Sequence, residues 1–498
     1  MSDEITDQPH VQCDGGPEAD SGEPCADLGH LKATTCSRRG FLKGVGAGAA
    51  AATASTVFPH FWVPNEAYAS TPARGEVQHL LYIRLAGGFR FTTAFNGDVA
   101  AEYNPFGRAD NVADGVEWGV GKLLEDAPFL EGEDGSALSE RGLRSIPEIA
   151  DDIAVLPCVD HEPFSARADG NHGTGLERFQ KGYVGEGTSF FTMINYGLRQ
   201  QYQQARENGE TPLPAFSLGD PGMAVGAGEY AGHRPPVIQG DGFDEFGFDA
   251  EDALPEWAQT MKSRADERMK NRLAQSRRTS IEAYMQTRTA TAAYSEIFNS
   301  EELKIRNGSD QAIDGLSNAE LEAIFGDSGA ARRVRLALRL FHFGSPAVYL
   351  NQGSYDMHSG EKNALPRRID ELNRLISGLQ YALKAMQHPD GGSYWDHTLV
   401  AFGSEFGRTA RGSQFNSAAG SDHAGDLATR WMSMPVMGGV ISQAGNGGRS
   451  FGETRSGDLK ANGQVYSYRS VLKTLMDSLG CDHSEFFGAD EPFDDLFV

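Results

Sequence analysis

Cysteine is scarce in this chain. Five cysteines occur among 498 residues, and three of them, Cys13, Cys25 and Cys36, lie near the start. The other two, Cys158 and Cys481, are too few for a disulfide framework, an iron–sulfur centre or a Cys-x-x-Cys-His haem attachment. The two residual thiols are able to form one bridge, but we expect both to be buried and unpaired.

Basic residues are also in short supply. The chain has 44 lysines and arginines against 69 aspartates and glutamates, which gives a formal net charge of -25 at pH 7. A surface this acidic repels nucleic acid and anionic lipid. We therefore expect no nucleic acid among the partners of this protein.

Long apolar runs are missing as well. Residues 44–63 are apolar but rich in alanine, glycine and threonine, and Pro59 interrupts them, so they are poorly suited to span hydrocarbon. They follow the paired arginine of Ser37-Arg38-Arg39-Gly40-Phe41-Leu42-Lys43 and precede Ala67-Tyr68-Ala69. This three-part layout predicts a twin-arginine export signal that is cleaved before Ser70.

The signal predicts the domain organisation and the location. Residues 1–69 are expected to be a disordered leader with the signal peptide, and residues 70–498 an α/β domain with a helical insertion at about 255–340. The twin-arginine translocase would be a partner during export to the periplasm or the extracellular space. No stable membrane span is expected after cleavage, and an uncleaved anchor is the less favoured alternative.

Short apolar runs alternate with helical stretches in the predicted domain. Runs at 80–85, 153–159, 347–350 and 398–402 are typical of buried strands. Apolar residues between 369 and 386 recur at three- and four-residue spacing, which predicts an amphipathic helix between the last two strands. Such strand–helix–strand units form parallel sheets that bind ligands at the carboxyl ends of the strands. The sequence thus predicts an α/β fold with a mostly parallel central sheet.

Polar residues follow the first two predicted strands. The glycine pair at 87–88 allows close approach of a ligand to the backbone, although a tight turn explains the pair equally well, and Arg90 is a candidate for anion binding. Asn171, His172 and Thr174 combine an amide, a base and a hydroxyl among glycines. They predict a nucleophile with an anion-binding turn, or else a polar loop that satisfies its own backbone groups.

The last two predicted strands are followed by potential metal ligands. Asp356 and His358 place a carboxylate oxygen and an imidazole nitrogen within reach of one divalent ion. Glu405 and Arg408 follow the fourth strand, and His423 comes soon after. Together these residues predict a metal site that neutralises an anionic ester, with Arg408 on the anion. The alternative is a buried polar network that fastens loops to the sheet.

These segments, with the twin-arginine leader, resemble the ordered signatures of the secreted domain of unknown function 1501 family. They are Asn171-His172-Gly173-Thr174-Gly175, Tyr355-Asp356-Met357-His358, Glu405-Phe406-Gly407-Arg408-Thr409 and Asp422-His423. The resemblance covers almost all of residues 70–498. It implies a sulfatase-like fold of the alkaline phosphatase superfamily, in which helices cover both faces of the sheet and metal and anion sites lie at the strand ends.

The resemblance also implies residue roles. It assigns metal ligands to four side chains, with Asp356, His358 and His423 at one metal position and Glu405 at a second. Thr174, or less favourably Ser354, would supply the attacking hydroxyl, and Asn171 and His172 would contact the anion.

Two departures from the superfamily pattern reduce the expected number of metals. Arg90 stands where relatives commonly carry an aspartate, and Phe406 stands where a histidine often follows the acid. A fixed guanidinium repels a second dication. We therefore expect one divalent ion at most, Zn, Ca, Mg or Mn, and we expect Arg90 to grip a phosphate, sulfate or carboxylate in place of the second.

The combined expectation is an exported hydrolase that cleaves a phosphate or sulfate ester of an anionic small molecule or polymer. The alternative is a non-catalytic relative that acts as a periplasmic binding or envelope-assembly protein. Many twin-arginine substrates are oxidoreductases, but the glycine pair at 87–88 is not a dinucleotide fingerprint and nothing else favours that class.

Overall fold

The computed structural model describes residues 75–161, 170–208, 212–238, 312–408, 420–423 and 431–497, with a few helical residues between 260 and 271. The predicted leader, export signal and cleavage site lie outside the described residues, as does most of the predicted helical insertion. The leader, the export signal, the cleavage site and the helical insertion therefore stay predictions.

The strands belong to one large sheet and two small ones. They are β1 His79–Leu85, β2 Ile153–Asp160, β3 Phe216–Leu218, β4 Val237–Ile238, β5 Ala312–Ile313, β6 Leu316–Ser317, β7 Ala347–Gln352, β8 Thr398–Gly403, β9 Trp431–Met437, β10 Glu453–Thr454, β11 Ala461–Asn462 and β12 Tyr466–Ser467. Eight of these described strands form a sheet in the order β12-β2-β9-β8-β1-β7-β3-β4. The pairs β5–β6 and β10–β11 form separate antiparallel ribbons.

Helices flank the large sheet. The α-helices of the described residues are α1 Lys122–Glu125, α2 Gly132–Arg141, α3 His172–Lys181, α4 Phe190–Gly197, α5 Arg199–Glu207, α6 Asn318–Phe325, α7 Gly329–His342, α8 Glu361–Ala385, α9 Tyr394–His397, α10 Gly439–Gln443 and α11 Tyr468–Ser478. Short 3-10 helices cover Phe91–Thr93, Pro128–Leu130, Ile146–Asp152, Pro221–Ala224 and Gly228–His233. Within this described part, no helix has the length and apolar character needed to cross a bilayer.

The large sheet is mostly parallel, as the sequence predicts. Strands β8, β1, β7, β3 and β4 run parallel to one another. Strand β9 lies between β2 and β8 and is antiparallel to both. The sequence analysis did not identify β9, because Pro435 has no N–H group and argues against an interior strand. The α/β fold with a mostly parallel sheet is confirmed.

Burial explains why the predicted strands form. Leu80, Leu81, Tyr82 and Ile83 of β1 are all fully buried, which is expected for a parallel strand covered on both faces. Helix α8 buries the predicted apolar stripe and begins two turns earlier than predicted, at Glu361. Both remaining cysteines are buried free thiols, as predicted.

The turn after β1 brings three strand ends together. Gly87 and Gly88 have φ of 100° and 74°, a region that favours glycine. A Cβ atom on Gly87 would lie 2.7 Å from the backbone nitrogen of Asp356, and one on Gly88 would lie 2.1 Å from the ring of Phe406. The glycine pair therefore serves the close packing of the loops that follow β1, β7 and β8.

Replacing Gly88 by alanine should destabilise the fold strongly. Gly107 provides a matched control, because its φ is 82° and its Cβ would meet no atom within 4 Å. We expect Gly107→Ala to lower the free energy of unfolding by about 1–2 kcal/mol and Gly88→Ala to lower it by about 2–5 kcal/mol. The larger loss is expected at Gly88 because only there would the added methyl group displace the buried ring of Phe406. Urea denaturation followed by circular dichroism measures both changes. Equal losses would contradict the packing role.

Two buried histidines meet at the amino-terminal end of β1. Nδ1 of His79 donates to the carbonyl oxygen of Ser345 at 2.9 Å, so Nε2 of the neutral ring accepts from Nε2 of His388 at 3.2 Å. The backbone N–H of Asp390 donates to Nδ1 of His388 at 3.2 Å, which leaves the proton of that ring on Nε2. The three hydrogen bonds are complete only when both imidazoles are neutral.

These histidines make stability fall in mild acid. Burial is the largest cause that lowers the pKa of His79 to about 3 and that of His388 to about 4, and the charge of His397 adds to it. Between pH 6.5 and 4 the unfolded chain takes up protons that the folded chain refuses, so stability decreases as pH falls.

The slope of stability against pH tests this histidine pair. We expect the slope of the unfolding free energy between about pH 6.5 and 4 to become shallower by about 1.4 kcal/mol per pH unit in His79→Leu. The control His483→Leu changes a histidine outside this pair, with a side chain that is 20% exposed, and should keep the slope of the unchanged protein. A His79→Leu slope identical to that of the control would show that the pair does not set the acid sensitivity.

Candidate functional site

The carboxyl ends of β1, β7 and β8 lie side by side, and five polar side chains converge there. We call this group the histidine–carboxylate cluster: it consists of His172, Asp356, His358, Glu405 and His423. The first comes from the amino-terminal end of α3, the next two from the loop after β7, and Glu405 from the residues that follow β8. The predicted meeting of distant residues at one edge of the sheet is thus observed.

Three of the predicted metal ligands have compatible separations. Oδ1 of Asp356 lies 3.0 Å from Nε2 of His358 and 3.9 Å from Nε2 of His423, and the two Nε2 atoms are 3.1 Å apart. Ligand atoms on one tetrahedral zinc ion are about 3.3 Å apart, given bonds of about 2.0–2.1 Å. Small adjustments would let all three side chains reach one ion.

The tautomer of His423 suits metal binding. Its Nδ1 donates a short hydrogen bond to the carbonyl oxygen of Gly170, so the lone pair of the neutral ring is on Nε2 and faces the cluster. Burial, the largest cause, and the nearby charge of Arg408 lower the pKa of His423. The neutral form that a metal requires is therefore favoured.

His172 is a further candidate ligand. Its Nε2 lies 3.3 Å from Oδ2 of Asp356 but has no hydrogen bond of acceptable geometry within the described part of the chain. His172, Asp356 and His423 each offer one ligand atom, and these atoms lie within 4.8 Å of one another. A second such group consists of His358, Asp422 and His423. The sequence analysis assigned His172 to the anion, whereas its position also fits the metal.

Glu405 does not have the surroundings of a metal ligand. Oε1 accepts from the backbone N–H of Gly87 at 2.7 Å and contacts Nδ1 of His172 at 3.4 Å, while Oε2 accepts from Nε of Arg84 at 3.2 Å and lies 3.3 Å from Oγ of Ser404. The side chain is 2% exposed. The predicted role of Glu405 at a metal does not fit this burial, because each oxygen already has two contacts and almost none of the side chain is exposed, whereas the side chain of Asp356 is 38% exposed.

The same contacts keep Glu405 ionised. Burial raises the pKa of the carboxyl group, but the hydrogen bond from His172 and the charge of Arg84 outweigh it and lower the pKa to about 2. The bond to Glu405, in turn, is the largest cause that raises the pKa of His172. A metal at Nε2 of His172 therefore competes with a proton.

Arg84 is the cation of the site that the sequence analysis missed. It lies in β1, and its guanidinium contacts Glu405 and, at 3.4 Å, Oδ2 of Asp220. Asp220 also accepts from the hydroxyl of Tyr349 at 3.0 Å and from the amide of Gln180. The available signal was a charged residue inside an apolar strand, which is rarely buried without a partner.

Arg90 lies below the cluster, in the protein interior. It is 1% exposed, and its Nη1 lies 2.7 Å from Oε2 of Glu361. Its Nε donates to the carbonyl oxygen of Tyr103 at 3.1 Å. The prediction that Arg90 grips a substrate anion does not fit this placement, because the guanidinium already holds a buried carboxylate.

Arg408 is likewise buried, with 0% of its side chain exposed. Its Nη1 donates to Oδ1 of Asp356 at 2.7 Å and to the carbonyl oxygen of Gly87 at 3.1 Å. Its Nε and Nη2 donate to the hydroxyl and carbonyl oxygens of Ser421 at 3.0 and 2.7 Å. Arg408 therefore positions Asp356 and the segment that carries His423, which is a different role from the predicted contact with an anion.

The predicted nucleophile turn is the start of α3. Oδ1 of Asn171 accepts from the backbone N–H groups of Gly173 and Thr174 at 2.8 and 3.3 Å, which is the N-cap arrangement. Oγ1 of Thr174 lies 3.4 Å from the carbonyl oxygen of Asn171. These residues have a capping function whether or not Thr174 reacts, and the alternative hydroxyl, Ser354, is exposed.

Phe406 forms an apolar wall behind the imidazoles. Its ring stacks on His423 with 4.6 Å between centroids and packs against His172 at 5.0 Å. Since Phe406 is buried, it fixes the ring planes of both histidines.

Comparison with known proteins identifies the family. Residues 125–493 match the family described as protein of unknown function (DUF1501), and the chain matches no curated protein. It is similar to the crystal structure of the C-terminal periplasmic domain of EcEptC from Escherichia coli in complex with Zn, with 9% identity and a TM-score of 0.28 over 86% of this chain and 89% of that chain. A TM-score of 0.28 is too low to show a shared fold. The family match spans more than half of the sequence, so this chain belongs to the DUF1501 family, as its motifs predict.

Proposed function

We propose that this protein is an exported hydrolase that cleaves a phosphate or sulfate ester with the help of one divalent metal ion held by the histidine–carboxylate cluster. The observation that carries the proposal is the convergence of three imidazoles and one carboxylate at the carboxyl edge of a parallel sheet, the edge at which such folds bind ligands. The twin-arginine motif supports export through the translocase to the periplasm or beyond.

The donor set favours zinc among the expected ions. Imidazole nitrogens suit zinc and other late transition metals, whereas calcium and magnesium prefer oxygen ligands. Asp356, His358 and His423 would hold the ion, with His172 as the fourth ligand or beside it. The bound ion would act as a Lewis acid that polarises an oxygen of the phosphoryl or sulfuryl group.

The chain's own residues prepare the site for that chemistry. Arg408 fixes Asp356, and Phe406 fixes the ring planes of His172 and His423. We assign the hydroxyl of Thr174, which is half-buried and lies two residues beyond His172 on α3, to attack the phosphorus or sulfur atom. The bond from Oγ1 to that atom would form as the bond to the ester oxygen breaks, the threonine proton would pass to water, and the alcohol would leave after taking a proton from water. A second water would then hydrolyse the threonine ester and release phosphate or sulfate.

A non-catalytic role in binding or envelope assembly is the second candidate. The capping contacts of Thr174 and the pairing of Arg90 and Arg408 with carboxylates favour it, because they give these residues structural roles. In that case the cluster would bind a metal or an anionic partner without turning over an ester.

Metal content is the first test. We expect the purified full chain to contain one zinc ion per molecule and His423→Ala to lose most of it, because the variant lacks a nitrogen that the backbone already orients. His483→Ala is the matched control and should retain the metal. Elemental analysis by mass spectrometry measures all three proteins. An equal metal content in the two variants would contradict the proposed site.

Ester cleavage is the second test. We expect turnover of aryl phosphates or aryl sulfates by the unchanged protein, loss of that turnover with chelator, and recovery on adding zinc. Asp356→Ala should reduce kcat/KM by a factor of 100 or more, on the order of 3 kcal/mol of transition-state stabilisation. Thr174→Ser should retain most of the activity and Thr174→Ala should lose it.

The outcomes separate the two functions. A protein that binds zinc but cleaves no ester of the panel favours the binding role. Activity that is indifferent to both chelator and Asp356→Ala would overturn metal-assisted hydrolysis.

A further inference from the structure

The hydrogen bonds of Glu405 determine which nitrogen of His172 carries the proton. An ionised carboxylate only accepts hydrogen bonds, and the backbone N–H of Gly87 and Nε of Arg84 both donate to Glu405. The contact of Oε1 with Nδ1 of His172 therefore requires a proton on Nδ1. In the neutral ring the lone pair is then on Nε2, the atom that lies 3.3 Å from Asp356.

We propose that Glu405 is a positioning residue that orients His172 toward the metal, and that Arg84 is the fixed cation that holds Glu405 in place. The inference rests on the proposed metal function, but it changes which residues are assigned as metal ligands. His172 joins the ligands, and Glu405, which the sequence motif assigns to a metal, acts through His172. A carboxylate behind a metal-binding imidazole fixes its tautomer and raises its basicity.

Geometry argues against direct coordination by Glu405. A metal ion on Oε1 would displace the backbone N–H of Gly87, which approaches within 2.7 Å in a turn crowded by Asp356. A buried N–H group without a partner destabilises a fold by about 1–3 kcal/mol. An ion on Oε2 would have to replace the guanidinium of Arg84, which lies 3.2 Å away and cannot lose its charge.

Arg84 also ties Glu405 to a second buried carboxylate. Its guanidinium lies between Glu405 and Asp220, and Tyr349 and Gln180 hold Asp220 from the other side. The planar fork of arginine has directed donors for both carboxylates, which the single ammonium of lysine lacks. Rotation of Glu405 away from His172 would break contacts on both its oxygens, so the histidine ring has one supported orientation.

Replacement of Glu405 by glutamine tests the inference. The amide NH2 group must face either the N–H of Gly87 or the guanidinium of Arg84, so one of these hydrogen bonds is lost whichever way the amide points. We expect Glu405→Gln to bind zinc about 10–100-fold more weakly than the unchanged protein, as is typical for a group that orients a ligand. Ser404→Ala is the control and should bind zinc almost normally, because the Ser404 hydroxyl lies 3.3 Å from Oε2 of Glu405 but donates its proton to the carbonyl oxygen of Leu85 at 2.6 Å.

Two spectroscopic measurements distinguish positioning from a merely structural effect. The visible absorption of the Co²⁺ form should change in Glu405→Gln because His172 no longer presents Nε2, and it should be restored in part by Glu405→Asp. ¹⁵N NMR of the protein, after a chelator has removed its metal, should show His172 with its proton on Nδ1 at alkaline pH. Glu405→Gln should lose that preference. Circular dichroism confirms that each variant is folded.

The results separate this inference from the proposed function. A protein that binds neither zinc nor cobalt overturns both, whereas zinc binding with unchanged affinity and Co²⁺ spectrum in Glu405→Gln overturns only the positioning role. Loss of zinc in Glu405→Gln as complete as in Asp356→Ala would make Glu405 a ligand and also overturn the inference. Weakened binding with an altered spectrum and a changed His172 tautomer supports it.

Discussion

The guanidinium of Arg408 joins the loops on which the candidate site depends. It donates to the side chain of Asp356, to the backbone of Gly87 after β1, and to both oxygens of Ser421. Ser421 in turn donates to Glu361 at 3.0 Å, and Glu361 pairs with Arg90. The cluster is therefore supported from inside by a continuous chain of charged hydrogen bonds, and its imidazole and carboxylate groups are held close together by residues outside the cluster.

These buried ion pairs stabilise the fold only while both partners are present. Buried ion pairs are weak stabilisers in themselves, but removal of one partner leaves an uncompensated charge and destabilises a fold by several kcal/mol, about 3–5 kcal/mol in measured cases. Arg84, Arg90 and Arg408 each contact a carboxylate in or below the cluster. The main contribution of these pairs is therefore to favour one arrangement of the loops over others.

Much of this arrangement was predictable from the sequence, and the remainder has physical causes. Strands β1, β7 and β8 are continuous apolar runs, and the parallel pattern places Asp356 and His358 at the edge where ligands bind. The direction of a single side chain is not encoded in such patterns. Arg90 follows a strand as a ligand-binding arginine would, yet it turns inward to Glu361, while Arg84 is hidden in an apolar run. The role of Glu405 depends on which neighbours fill its lone pairs, and they come from three separate places in the chain, around residues 84–87, 172 and 404.

The antiparallel direction of β9 has a consequence for the loop that carries His423. A connection between parallel neighbours must return across a face of the sheet, whereas a connection between antiparallel neighbours begins and ends at the same edge. The chain leaves β8 at Gly403 and enters β9 at Trp431, both on the edge that holds the candidate site. The number of residues between Gly403 and Trp431 is therefore independent of the crossovers of the sheet, so a change in it leaves the path of the chain through the other strands unaltered.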